Sequence, residues 1–247
     1  PPCKGPYKAP MAAESAEDAG TTAHVVTSEE QLDEFVAQLA QQPVFALDTE
    51  TTSLLAVDAE VVGYAFSWRA GEGWYVPVRG NDAGQPLADG TQLTYLEPDM
   101  VAAKLKPVLE EPKSLKVGQN LKYDMNVLSR AGIDLQGDLF DTMVAAALLH
   151  PERRTNNMDD LARDMLGLKT TPITDLIGKG KKQRTMLDVP LPDVAAYAAE
   201  DADITWRLYE KLAERLQPQP EAMQHPFNNV ERPPARRVGV PLRSSRS

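Results

Sequence analysis

Cysteine is all but missing from this chain, with Cys3 the only one in 247 residues. No internal disulfide can form, and no thiolate zinc cluster can be built. Such usage fits a reducing compartment. Histidine is almost as scarce, and His24, His150 and His225 are too scattered for a zinc site. No run of about 18 apolar residues occurs, which excludes a membrane-spanning helix. The first residues are Pro, Lys and Gly rather than an apolar signal segment. The expectation is a cytoplasmic monomer with no membrane partner. Nucleotide-loop chemistry is absent as well: Gly178-Lys179-Gly180-Lys181 lacks the Walker spacing and a following Ser or Thr.

What is present is an ordinary globular composition, 42% hydrophobic and 25% charged, long enough to bury a sizeable core. The net charge of −10 would repel a polyanion if it were spread evenly. Binding depends on local patches, however, and acidic residues can hold divalent cations that a phosphate then meets. The total therefore decides nothing by itself.

Residues 1–22 are rich in Pro, Ala, Gly and acid, and read as a linker arm. Thr27 and Glu30 have capping-box spacing, and Leu32, Phe35, Val36 and Leu39 then recur at helical intervals. Stretches 44–50, 60–68 and 73–78 read as three strands in an antiparallel meander. A helix at 99–110 and a short strand at 115–117 follow, with a further strand near 139–140. Helices are expected at 121–130, 142–150 and 158–166. Residues 168–189 read as loop with one helical turn at 173–177, and Pro192 opens a long helix to about residue 216. From 218 to 247 apolar periodicity disappears and the chain becomes rich in Arg. Strands first and helices later point to an α/β sheet covered by helices.

The informative acids stand where acids are costly. In Val44-Phe45-Ala46-Leu47-Asp48-Thr49-Glu50 the side chains alternate, so Asp48 and Glu50 point the same way at the end of an apolar strand. Two neighbouring buried carboxylates raise each other's pKa, and a hard cation such as magnesium or manganese between them removes the conflict. The alternative is that both acids lie solvated in a turn. On the long helix, Tyr197, Asp201, Ile204, Leu208 and Leu212 share one stripe, which places Asp201 on the inward face. Glu200 and Asp203 flank it, so a solvated acidic patch is the competing reading. Asp124 sits where a strand gives way to a helix, and the helix dipole alone would favour an acid there.

Together these segments are far more specific. Phe45-Ala46-Leu47-Asp48-Thr49-Glu50-Thr51 resembles the first motif of the DEDD exonucleases, and Gly118-Gln119-Asn120-Leu121-Lys122-Tyr123-Asp124 the second. Tyr197-Ala198-Ala199-Glu200-Asp201-Ala202-Asp203 resembles the third, in the subclass with a tyrosine four residues before the last aspartate. Gly178-Lys179-Gly180-Lys181-Lys182-Gln183 resembles the loop preceding motif three in bacterial DNA polymerase I. The resemblance is to the proofreading domain of that family, placed here at 23–217. It implies a ribonuclease H-like fold, a five-stranded mixed sheet flanked by helices. It also implies a metal-dependent 3′→5′ exonuclease acting on a single-stranded DNA 3′ end.

By the same resemblance two divalent ions, Mg2+ or Mn2+ with Zn2+ admissible at the first position, would serve Asp48, Glu50, Asp124 and Asp201. Tyr197 would orient the attacking water. Thr49, Leu54, Gln119, Asn120 and Tyr123 would line the substrate groove, and Lys179, Lys181, Lys182 and Arg184 would follow the phosphates. Ordinary core for Leu54 and a solvated loop for the basic cluster are the bland alternatives. Residues 227–240 faintly resemble the segment that opens a polymerase, which leaves open a fragment, a truncated product or a separate subunit working with a polymerase in cis or in trans. Two other readings are a 3′→5′ exoribonuclease relative and a catalytically silent single-strand-binding module.

Overall fold

In the computed structural model, residues 17–81, 94–180 and 183–216 are described. The elements in chain order are β1 (Glu17–Asp18), β2 (Thr22–Val25), α1 (Glu29–Leu39), β3 (Val44–Thr51), β4 (Val61–Ser67) and β5 (Glu72–Pro77). There follow α2 (Pro98–Leu109), β6 (Leu115–Gly118), α3 (Leu121–Arg130), β7 (Leu139–Asp141) and α4 (Thr142–Leu149). The chain continues through α5 (Met158–Leu161), β8 (Leu168–Lys169), α6 (Ile173–Ile177) and the long α7 (Leu191–Leu216). A π-helical turn at Ala162–Leu166 prolongs α5, so the expected helix there changes its winding halfway.

The main sheet runs β2-β5-β4-β3-β6-β7. The β3, β4 and β5 strands form the antiparallel meander, and the β2–β5, β3–β6 and β6–β7 pairs are parallel. The mixed sheet flanked by helices agrees with the sequence reading, but it has six strands rather than five. The extra edge strand, β2, begins inside the segment read as a linker arm. The Thr22 N–H donates to the Gly71 carbonyl at 2.9 Å and the Val26 N–H to the Tyr75 carbonyl at 2.9 Å. Further back, β1 pairs with β8. Too few large apolar residues lie in this arm to reveal either strand by periodicity.

The capping box of α1 is also one residue later than expected. Ser28 is the N-cap, and it exchanges hydrogen bonds with Gln31. Both Thr27-x-x-Glu30 and Ser28-x-x-Gln31 satisfy the pattern. Burial of Val26, Leu32, Phe35 and Leu39 makes the choice, because it fixes where the extended chain ends and how the helix is turned.

Strand alternation then sorts the two faces of β3. Phe45 and Leu47 lie in a core built with α1, α2 and α3, among Leu32, Phe35, Val101, Leu105 and Leu121. Ala46 lies in the opposite layer with Ile204, Leu208 and Leu212 of α7. By the same alternation Asp48 and Glu50 face α7, and Thr49 faces α3. The sheet is therefore a partition, with α1, α2 and α3 on one side and α7, joined by α4, α5 and α6, on the other.

Two glycines let these layers close. A Cβ on Gly73 of β5 would stand 2.2 Å from the backbone oxygen of Ala199, so α7 lies directly on the strand. A Cβ on Gly63 of β4 would overlap the Tyr75 hydroxyl at 2.2 Å, so the glycine leaves the space that this ring fills. The surface of α7 presented here is small, with Ala195, Ala198, Ala199 and Ala202 all buried. Close approach of α7 is what brings its polar residues over the carboxylates of β3.

A candidate acidic active site

The site lies at the C-terminal end of β3, where β6 has already diverged. Pairing of β3 with β6 ends at Ala46 and Val117, whereas pairing with β4 continues to Thr51 and Val61 with a bulge after Glu50. Bulges beside a ladder's end re-aim side chains. Beyond Ala46 the β6 side of β3 is thus free to receive groups from α3.

Asp124 fills that position. Its Oδ1 accepts the Thr49 backbone N–H at 3.1 Å and the Thr49 hydroxyl at 2.6 Å. Thr49, expected against substrate, therefore spends its hydroxyl on positioning Asp124. From the other face, Asp48, Glu50 and Asp201 each offer a carboxylate oxygen, and these oxygens all lie within 4.8 Å of one another. Tyr197 stands one helical turn before Asp201, close enough for that carboxylate's charge to act on its phenol. All five expected central residues are thus brought together from three segments about 75 residues apart in sequence.

Burial and mutual repulsion set the electrostatics. Asp48 is pushed up to about 6, chiefly by desolvation. Glu50 is held well above the usual carboxylate range by desolvation, then by the charges of Asp48, Asp201 and Asp124. Asp124 and Asp201 are raised in the same direction, again by burial first and Asp48 second. Burial and the Asp201 charge drive the Tyr197 phenol far above its ordinary value, so it stays protonated at neutral pH. Among the described residues no cation side chain is paired with the three clustered carboxylates. A hard divalent ion fits this donor set, because oxygen ligands of this number and charge suit magnesium or manganese.

The linkage has a definite sign. Each of these acids is raised on folding, so each weakens the fold above its folded pKa and ceases to do so below its unfolded value. For Asp48 the window runs from about 6 down to 3.8. In chelator, the protein is expected to melt several degrees higher at pH 5 than at pH 7, an effect on the order of 1–3 kcal/mol. Millimolar magnesium should reverse the order by stabilising the ionised site at pH 7. Melting curves at both pH values, with and without the ion, check this. A chelated protein that is more stable at pH 7 would contradict the arrangement.

The outer residues are placed less uniformly. Leu54 is 83% exposed on the β3–β4 loop, beside Leu55 at 64% and Val57 at 69%, which rules out an ordinary core role. The Tyr123 hydroxyl donates to the Ser53 carbonyl at 2.5 Å and shares a 2.5 Å bond with the Thr51 hydroxyl, so it ties down the base of that same loop. Gln119 is turned inward: its Nε2 donates to the Asn156 carbonyl at 2.8 Å, and its Oε1 accepts from Thr142. Asn120 is exposed, with a left-handed φ of 61° at the start of α3. Lys179 and Arg184 are both exposed, and Lys181 and Lys182 lie outside the described residues. Arg184 borders a cavity of about 330 Å³ that Tyr197 and Glu200 also line.

Asp141 is a supporting residue that sequence reading missed. Buried at the end of β7, it accepts from the N–H groups of Asn120 (3.3 Å), Leu121 (2.7 Å), Met143 (2.8 Å) and Val144 (3.2 Å). One carboxylate therefore caps both α3 and α4. Its place before the 142–150 helix is a cap signal, but its reach to α3 depends on β6 and β7 being neighbours. Asp141→Ala should cost about 3 kcal/mol, since it removes two caps and leaves buried donors unpaired. Urea unfolding with an unchanged slope would measure it, and a loss under about 1 kcal/mol would count against the double cap.

Asp203 has a similar task. Fully buried, it accepts from the Thr21 hydroxyl (2.6 Å), the Gly71 N–H (2.8 Å) and both Nε and Nη2 of Arg207 (2.9 and 2.7 Å). It is no member of a solvated patch. It fastens the ordered arm and the β4–β5 turn to α7.

A six-stranded mixed sheet carrying clustered carboxylates at the end of its central strand defines a ribonuclease H-like nuclease fold. Residues 23–217 match the family model described as 3′-5′ exonuclease, in its DNA polymerase A form, and the chain belongs to that family. DNA polymerase I of Pseudomonas aeruginosa is 39% identical over 211 residues, which cover 85% of this chain and 22% of that protein. This chain spans about a fifth of the length of the curated relatives it matches. Among solved structures, Trypanosoma brucei RNase D aligns with a TM-score of 0.58 at 20% identity, covering 76% of this chain and 64% of that one. Brucella melitensis NrnC with bound Mg2+ aligns with a TM-score of 0.54 at 18% identity, covering 79% and 80%. These two likenesses concern the fold.

Proposed function

We propose that this chain removes nucleoside 5′-monophosphates from single-stranded or frayed DNA 3′ ends by two-metal-ion phosphodiester hydrolysis, as the editing unit of a polymerase carried in cis or in trans. The observation that carries the reading is the convergence of Asp48, Glu50 and Asp201 within 4.8 Å, with no cationic side chain among the described residues paired to them. DNA is favoured over RNA by the identity to DNA polymerase I over most of the chain.

In this reading Asp48, Glu50 and Asp201 would hold one ion, and Asp48 with Asp124 would serve a second. Such ions, when bound, acidify a water and stabilise charge on the leaving 3′ oxygen. The rest falls to the chain. Thr49 keeps Asp124 in place from the far face of β3. Tyr197 stays protonated, so it orients the attacking water without taking its proton. Leu54, with Leu55 and Val57 beside it, offers an exposed apolar surface to the terminal bases. Arg184 and Lys179 offer charge to the backbone, which predicts little sequence preference.

The test is degradation of 5′-labelled single-stranded DNA and RNA oligonucleotides of one sequence, with magnesium or manganese, in the presence and absence of chelator. The expected result is a ladder that shortens from the 3′ end of the DNA and requires the metal. Preferential loss of the RNA would make the chain an exoribonuclease. No cleavage of either by folded protein that still binds them would leave a silent binding module.

A further inference from the structure

Four buried polar side-chain atoms among the described residues lack a hydrogen-bond partner: His24 Nε2, Tyr75 OH, Asn156 Oδ1 and Trp206 Nε1. Tyr75 is singled out by where its ring goes. It is fully buried, on the central side of the sheet facing α7, directly opposite Ala65 of β4. Ala65 in turn faces Asp48, and Gly63, two residues earlier, faces Glu50. Directly opposed residues of an antiparallel pair share a face, with Cβ positions about 5 Å apart.

The ring lies across that pair. The Tyr75 hydroxyl occupies the space where a Cβ on Gly63 would be, 2.2 Å from that position, and Cζ and Cε2 follow at 2.3 and 2.4 Å. The hydroxyl therefore ends over Gly63, the residue of β4 paired with Glu50. Electrostatics agrees: after burial, the Glu50 charge is the largest influence holding this phenol well above its ordinary pKa, so the group keeps its proton. A buried hydroxyl with no partner, on the face of the sheet that carries Asp48 and Glu50, is a donor placed where a carboxylate can take it up. Any side chain on Gly63 would push it away.

We propose that Tyr75 is a positioning residue of the carboxylate site, donating its hydroxyl to Glu50 when that carboxylate is ionised around a divalent cation and so fixing the Glu50 rotamer for metal binding. Partners of metal-ligating carboxylates commonly contribute roughly 10-fold or more to metal affinity. The proposal rests on the metal-dependent reading above, and its test separates the two. Tyr75→Phe keeps the ring and removes only the unpaired oxygen, so the metal-free variant should melt at or above the wild-type temperature.

Titration calorimetry with Mn2+, without nucleic acid, is the primary readout. Wild-type protein should bind the ion, and Tyr75→Phe should bind it about 10-fold more weakly. Equal affinity in the two proteins would overturn the role of Tyr75 and leave the nuclease reading intact. Absence of Mn2+ binding by the wild type would overturn both. A lowered melting temperature of the metal-free variant, in step with weaker binding, would assign Tyr75 to packing and overturn the proposal as well.

Discussion

Asp48→Asn is expected to lower nucleotide release by at least roughly 10³-fold, which corresponds to about 4 kcal/mol of transition-state stabilisation. The amide keeps the shape of the side chain but loses the negative charge that a shared ligand must supply. The same change should make the metal-free protein more stable. The Asp48 charge raises Glu50, Asp124 and Asp201, and its own carboxyl is pushed up to about 6 by burial. Removing the charge relieves all four groups at once. Single-turnover assays on a 3′ end and melting curves in chelator would show the opposed effects. Retained activity in the folded variant would exclude Asp48 from the chemistry, and a lower melting temperature would contradict the repulsion.

Gly73→Ala should damage both stability and activity from a position that touches no substrate. Its Cβ would meet the Ala199 oxygen at 2.2 Å and the Ala199 carbonyl carbon and Cα at 2.7 Å. These are helix backbone atoms, which cannot swing aside like the end of a flexible side chain. The 26-residue α7 must therefore lift from β5. Overpacking of this kind typically costs about 1–3 kcal/mol. Ala199 lies midway between Tyr197 and Asp201, so both would be displaced from Asp48 and Glu50. A misplacement near 1 Å can cost on the order of 10²-fold in rate. The expected variant melts several degrees lower, works about 100-fold more slowly and binds Mn2+ more weakly. Wild-type behaviour would mean that α7 does not rest on the sheet as described.

The two substitutions separate the kinds of information that built this site. Asp48 and Glu50 were legible as a pair because strand alternation is a local rule, and an acid that ends an apolar strand is conspicuous. The Tyr197 to Leu212 stripe was legible for the same reason, and the helix at 121–130 and the meander followed from periodicity and turns. Thr49 was not readable as a support for Asp124. Alternation gives it the opposite face from Asp48, but says nothing about which helix covers that face. The exposure of Leu54 likewise emerged only once the β3–β4 loop was placed.

By itself, the sequence determined the order of most strands and helices and the faces on which Asp48, Glu50 and Asp201 lie, because spacing is local. That these acids with Asp124 and Tyr197 form one chemical set came from the resemblance of their three motifs to a known family, since spacing alone left solvated alternatives open. Tertiary structure decided the rest. It added β2 at the sheet edge through hydrogen bonds to β5 and the Asp203–Arg207 anchor, and it moved the α1 cap by one residue through core burial. It also gave Asp141 two helices to cap and laid the Tyr75 hydroxyl over Gly63. Each of these depends on contacts between segments far apart in the chain, and no local pattern encodes which distant segment will arrive.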